Sequence, residues 1–204
     1  MKDVHDTMDL LDYRRRVLQL YAEVRAGGAG EPTWTAWRTR RDRIFAHHPH
    51  SALDAAQRVS FRSLPYFDYD PSWRFEVAVE PVDTATEDIS HSDGREHTGM
   101  RRFGVVRFAA RGQDLELALY RLEEYGSGVF LPFRDATNGT ETYGGGRYLL
   151  DSAKGADLGS TGTKIVLDFN YAYHPSCFHN DAWSCPLAPP RNRLDMSITA
   201  GERS

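Results

Sequence analysis

The residues best suited to chemistry on a small molecule are an aspartate and an asparagine two apart in an apolar run, and a tyrosine and an arginine that flank three consecutive glycines. In Lys164-Ile-Val-Leu-Asp168-Phe-Asn170-Tyr-Ala-Tyr173, extended backbone would put Asp168 and Asn170 on one side and Leu167, Phe169 and Tyr171 on the other. An aspartate in a closed interior needs a partner, and Arg147 is the best candidate on a neighbouring strand. Such a pair braces a fold more often than it catalyses. In Tyr143-Gly-Gly145-Gly-Arg147 the missing side chains mean that the strand bends sharply or that something approaches its backbone. The first alternative is a bulge or barrel corner. The second is a surface open to a ligand, with Tyr143 and Arg147 as its polar edges. A phosphate loop fits poorly, because the glycines lead into β-type sequence and not into a helix.

The next segment, His174-Pro-Ser-Cys177-Phe-His179-Asn-Asp-Ala-Trp183-Ser-Cys185-Pro186, is a loop that holds both cysteines of the chain. Thiolate and imidazole together invite a zinc or copper site, but closed structural sites commonly use more tightly spaced cysteine pairs, so no metal is expected. Two packed thiols are the plainer alternative. A nucleophilic Cys177 or Cys185 would need a base, for which His174 and His179 are the local candidates. His47, His48 and His50 sit at a predicted helix end, where a solvated capping role outweighs metal binding.

These groups must be positioned by a mostly β framework. Leu10, Tyr13, Val17, Leu20, Tyr21 and Val24 recur at helical spacing and predict an amphipathic helix from about Thr7 to Arg25. Trp34, Trp37, Ile44 and Phe45 predict a second helix that ends at Pro49, and Ser51 would cap a short third. From Trp73 the period becomes two. Strands are expected at Phe75 to Val79, Arg101 to Ala109, Leu115 to Leu119, Gly128 to Phe133, Glu141 to Leu150, Lys164 to Tyr173 and about Leu194 to Thr199. Asp83 to Glu96 has the composition of a mobile loop, and Asn138-Gly139 that of a type I′ turn. The expected class is α+β, predominantly antiparallel, with a curled sheet, barrel or sandwich and two to three N-terminal helices. Residues 1–30 would form a helical extension and residues 31–204 one β-rich domain with a helical lead-in.

With 204 residues the chain can bury one substantial core. A net charge of −4 offers no basic field for nucleic acid, and no apolar run is long enough for a membrane span, so neither partner is expected. Nothing at the N-terminus reads as a secretory signal, and the cytoplasm is the expected address. Its reducing conditions would leave Cys177 and Cys185 as thiols.

The combination Pro132-Phe-Arg-Asp135-Ala-Thr137, Thr142-Tyr-Gly-Gly-Gly-Arg-Tyr148, Leu167-Asp-Phe-Asn170, Tyr173, Pro175, Cys177, Cys185-Pro-Leu187, Asn192-Arg-Leu194 and Ala200-Gly-Glu202 resembles a prokaryotic family, domain of unknown function sixteen eighty-four. Trp37-Arg38, Pro49, Ser51, Leu53, Phe61, Leu64, Tyr66-Phe67 and Asp70 resemble its helical lead-in. The resemblance implies no reaction. It implies that both cysteines and the Asp-Phe-Asn strand recur, that His174 and His179 stand where other residues are common, and that the residues before Trp34 are an addition, serving oligomerisation or cover of the pocket.

The first expectation is thus a small-molecule enzyme without a cofactor, with a pocket in a barrel-like sheet. Asp168 would be its acid or base, Arg147 its anchor and Tyr143 a hydrogen-bond donor, with hydrolysis, isomerisation and cyclisation unresolved. Asn170, Tyr173, Gly145, Trp183, Cys177 and Cys185 would line the ligand. The alternatives are a non-catalytic ligand binder with the same residues, and a thiol or metal protein that uses Cys177 and Cys185.

Overall fold

The computed structural model describes residues 4–123 and 127–204. Two helices come first, α1 (Val4–Gly27) and α2 (Glu31–His47), packed on each other, followed by the single-turn α3 (Ala55–Ser60). The cap of α3 is Asp54, not Ser51: its carboxylate accepts the Gln57 N–H, and the Gln57 side chain returns the bond to the Asp54 N–H. On α1 the buried side is Leu20, Tyr21 and Val24, whereas Leu10 stands exposed. On α2 it is Trp34, Trp37, Arg41 and Phe45, at steps of three and four.

Seven strands follow: β1 (Arg74–Ser90), β2 (His97–Ala110), β3 (Gln113–Leu122), β4 (Gly128–Phe133), β5 (Arg147–Asp151), β6 (Ser160–Thr161) and β7 (Lys164–Asp168). They form one antiparallel sheet in the order β5-β4-β3-β2-β1-β7-β6. The expected α+β class holds, and the sheet stays open, with β5 and β6 at its edges, so it is not a barrel. β1 pairs with β7 over residues 74–78 and with β2 over residues 79–90, so the segment expected to be a mobile loop is instead the far part of a long hairpin. Acidic and threonine side chains there do not prevent pairing, because their backbone amides and carbonyls satisfy one another across the ladder.

Adjacent residues of the central strands feed opposite faces. Val106, Leu117, Leu119, Leu131, Phe133, Leu167 and Phe169 fill one core, closed by Leu194, Ile198 and Ala200 of the C-terminal segment. That segment was expected to be a strand, but it makes isolated bonds to residues 134–136 and joins no ladder. Val105, Ala118, Tyr120, Phe130 and Tyr148 occupy the other face. Beside them Tyr171 and Leu158 meet Tyr21, Trp34 and Trp37 of the helices. Two further strands are shorter than expected. Of the Glu141–Leu150 stretch only residues 147–150 belong to a strand, β5, and β7 stops at Asp168, after which Phe169–Tyr171 form a 3₁₀ turn.

Candidate functional site

Arg147 does not meet Asp168. Its side chain is wholly buried, and Nη2 donates to Asp135 Oδ2 at 2.5 Å and to the Ile198 carbonyl at 2.9 Å. Nη1 donates to the Ala200 and Glu202 carbonyls. Asp135 is held in turn by the N–H and hydroxyl of Thr137. One guanidinium therefore ties the C-terminal segment to the sheet. Arg147 is a brace with no exposed surface for a substrate, and burial pulls its pKa down against the pull of Asp135. The brace was half visible in the sequence, where Asp135 stands in the same glycine-rich segment.

The glycines make a turn. Gly146 N–H donates to the Tyr143 carbonyl at 3.0 Å, and Gly146 takes a φ of +97°. No open surface lies at Gly145, because a Cβ there would strike the Tyr143 ring at 2.3 Å and Leu187 at 2.9 Å. The turn folds Tyr143 back over the cysteine loop. Its N–H donates to His174 Nε2 at 3.2 Å, its ring lies against Phe178, and its hydroxyl lies 3.8 Å from Cys177 Sγ.

Cys177 lies in the single turn α4 (Ser176–His179), and its N–H donates to Cys185 Sγ at 3.4 Å. Both thiols are free and buried, with Cys177 7% and Cys185 3% exposed. The far end of the β1–β2 hairpin holds Cys185 in place. Ser92 Oγ accepts the Cys185 N–H, Ser92 N–H donates to the Cys185 carbonyl, and Leu187 N–H donates to the Ser90 carbonyl. On the other side of the same loop Ala188 N–H reaches the Gly145 carbonyl. Trp183 is partly exposed and bonds the Ala52 carbonyl through Nε1.

The Cys177 thiol is pulled down to about 6, first by a hydrogen bond from the Cys185 thiol and then by Ser92 and Tyr143, against the opposing effect of burial. The same contact, with burial, pushes Cys185 up. Such a pair releases one proton easily and holds the second. Tyr143 is raised to about 12, mainly by burial and then by the neighbouring thiolate.

The histidines turn away from the sulfurs toward Glu202, which is fully buried. Glu202 Oε2 forms an ion pair with Arg41 at 2.9 Å and accepts from the His174 backbone N–H at 3.1 Å, while His179 Nε2 lies 3.3 Å and His174 Nδ1 3.7 Å from Oε1. Burial raises the carboxyl's pKa, but Arg41 and the histidines outweigh it and hold it well below the usual range. Burial lowers the pKa of His174, which faces the hub as a neutral ring. Because Nε2 accepts from Tyr143, His174 carries its proton on Nδ1. Among the described residues no three histidines, cysteines or acids are arranged to hold a metal. Glu202 and Arg41 went unread in the sequence, although an arginine in the apolar stripe of α2 was a sign.

Asp168 and Asn170 lie elsewhere. Asp168 Oδ1 accepts from Asn170 N and Nδ2, and Asn170 also bonds both backbone groups of Asp70. Burial raises the Asp168 pKa. Tyr173 lies under α1 and α2, against Tyr148 and Arg41. The expected site residues therefore divide into a cluster of Tyr143, Gly145, Cys177 and Cys185 with Trp183 bonded to Ala52 on the same loop, a structural arginine, a separate Asp168–Asn170 pair, and Tyr173 under the helices. His48 and His50 bond Asp12 and Asp6 or its backbone, and His48 is buried instead of solvated.

Fold and site define a class, an open antiparallel α+β sheet that packs two thiols beneath a tyrosine at one end of a long hairpin. The chain belongs to the family described as Protein of unknown function (DUF1684), whose model matches residues 59–203. It is similar to the solution NMR structure of the uncharacterized protein from gene locus rrnAC0354 of Haloarcula marismortui, with 35% identity and a TM-score of 0.60, over 83% of this chain and 91% of that one. No curated protein matches. No helix among the described residues is long and apolar enough to cross a membrane.

Proposed function

We propose that this chain is a thiol protein whose Cys177 and Cys185 exchange electrons with disulfides. The observation that carries this is the direct contact of two cysteines eight residues apart, with Cys177 N–H on Cys185 Sγ and the Tyr143 hydroxyl beside Cys177 Sγ. Acid–base catalysis through a cysteine would need an imidazole at the sulfur, and His174 Nε2 is already taken while His179 faces Glu202. What remains beside the sulfur is a second thiol, a phenol and the Ser92 hydroxyl, a set suited to redox exchange.

In the proposed step the Cys177 thiolate attacks one sulfur of a partner disulfide, and the other sulfur leaves as a thiolate that takes up the proton Cys177 lost. Cys185 then gives up its proton and attacks Cys177 Sγ, releasing the partner's second thiol. The cysteines lose two electrons and two protons to form a disulfide, and the partner disulfide becomes two thiols. Tyr143 holds the first thiolate by donating its hydroxyl proton.

The test is oxidation of the folded protein with oxidised glutathione, read by peptide mass mapping, together with the pH dependence of iodoacetamide alkylation at Cys177. A reversible Cys177–Cys185 disulfide is expected, with alkylation rising through about pH 6 and moving to higher pH in Cys185→Ala, which removes the donor. Two thiols that react only after unfolding would overturn the proposal.

A further inference from the structure

Asp168 ends β7 with 3% exposure, and the register of β1 against β7 places Arg74 directly across from it. Between this strand pair and the C-terminal turn of α1 lies a half-open cavity of about 80 Å³, lined by Arg25, Arg74, Asp168, Tyr171, Val24 and Leu158 among others. A single water needs roughly 10–15 Å³ measured this way, so the space admits a molecule of several heavy atoms.

Two buried polar groups on its wall are incompletely used. Tyr171 is 4% exposed, and its hydroxyl has no hydrogen-bond partner. Both hydrogen bonds to the Asp168 carboxylate, at 3.0 and 2.8 Å from Asn170, fall on Oδ1, and no described residue donates to Oδ2. Buried polar atoms without partners are rare in folded proteins, and an orphan beside a cavity points to something that fills it. Asn170 also fixes the carboxylate's orientation before any ligand arrives. The two cations are nearer solvent. Arg74 is half-buried and ion-pairs Glu76 at 2.8 Å, and Arg25 is exposed, bonds the Asp157 carbonyl and lies 3.8 Å from the Asp157 carboxylate. Charge is thus graded along the cavity, with an acid and a phenol within and two guanidiniums outside.

A ligand of one sign would leave part of that lining unmatched, since an anion would meet Asp168 and a simple cation would meet two arginines. We propose that this cavity binds a small zwitterion of the amino-acid type, its ammonium on Asp168 and Tyr171 and its carboxylate toward Arg74 and Arg25. The site shares no residue with the thiol pair and stands or falls independently of it.

The experiment is isothermal titration of the full chain with glycine and L-alanine, with acetate and methylammonium as half-ligands. Saturable binding of a zwitterion is expected, with each half-ligand about tenfold weaker or more, as loss of one charged hydrogen-bonding end implies. Asp168→Asn should abolish binding. Tyr171→Phe, which removes a hydroxyl with no protein partner and so leaves the fold intact, should weaken it about fivefold. If Asp168→Asn does not fold, Tyr171→Phe and Arg74→Gln decide. No saturable zwitterion binding, acetate as tight as glycine, or binding unchanged in the folded variants would overturn the proposal.

Discussion

Glu202 shows how much a single buried carboxylate can organise. It collects Arg41, the His174 N–H and two imidazoles, and its own carbonyl accepts from Arg147. Removing one partner of a buried ionic network strands the others, so Glu202→Gln should cost about 3–5 kcal/mol in chemical denaturation at pH 8. The pH dependence has a definite sign. Glu202 is held well below 4.5 in the folded state, so its contribution is complete above pH 4.5 and is lost as pH falls toward the folded pKa. His174 has a folded pKa below 6.5, so under that pH the unfolded chain binds a proton that the buried ring refuses. Both effects erode stability as pH falls. Wild-type stability should therefore decline as pH falls, between about pH 9 and 6 through the Cys177 thiolate, below pH 6.5 through His174 and below pH 4.5 through Glu202, and His174→Gln should lessen the loss below pH 6.5. A flat profile between pH 7 and 5 would refute the neutral assignment of His174.

Among the elements, the turn from Tyr143 to Gly146 does the most positioning. Gly146 sits at φ +97°, and a Cβ there would lie 2.5 Å from the Phe133 carbonyl oxygen. Gly146→Ala is thus strained twice, by conformation and by contact with backbone that cannot give way. A loss of at least about 1–2 kcal/mol is expected from the left-handed conformation alone. Gly144→Ala, where a Cβ meets nothing within 4 Å and φ is not positive, is the matched control and should be nearly neutral in thermal melts. The glycines announced an unusual backbone in the sequence, but their spacing could not distinguish a turn closed by Tyr143 and Leu187 from a surface left open.

For the whole molecule, the helices that precede the family match complete its core. Trp37 and Tyr21 pack against Tyr171 and each other, and Trp34 Nε1 donates to the Asn170 carbonyl at 2.8 Å. Arg41 of α2 supplies the cation that Glu202 needs. A fragment of residues 59–204, close to the matched domain, would expose this face and leave Glu202 buried without Arg41. It should fail to give a single cooperative unfolding transition, whereas the full chain should show coincident tryptophan-fluorescence and circular-dichroism melts. A fragment that melts as sharply as the full chain would show that the helices are accessory.

The sequence alone determined the local part of the result. Period-two runs located most strands, the change to a helical period located α1 and α2, and the motifs from Pro132 to Glu202 led to the family. It also singled out Tyr143, Cys177 and Cys185, because unusual residue types in an unusual order are visible without coordinates. Only the tertiary structure decided who meets whom. Arg147 chose Asp135 over Asp168, Asp168 faced Arg74 across β1 and β7, and both histidines went to Glu202 instead of the thiols. Strand period is written in neighbouring side chains, whereas a buried charge takes its partner from strand order and register, which depend on contacts far apart in the chain.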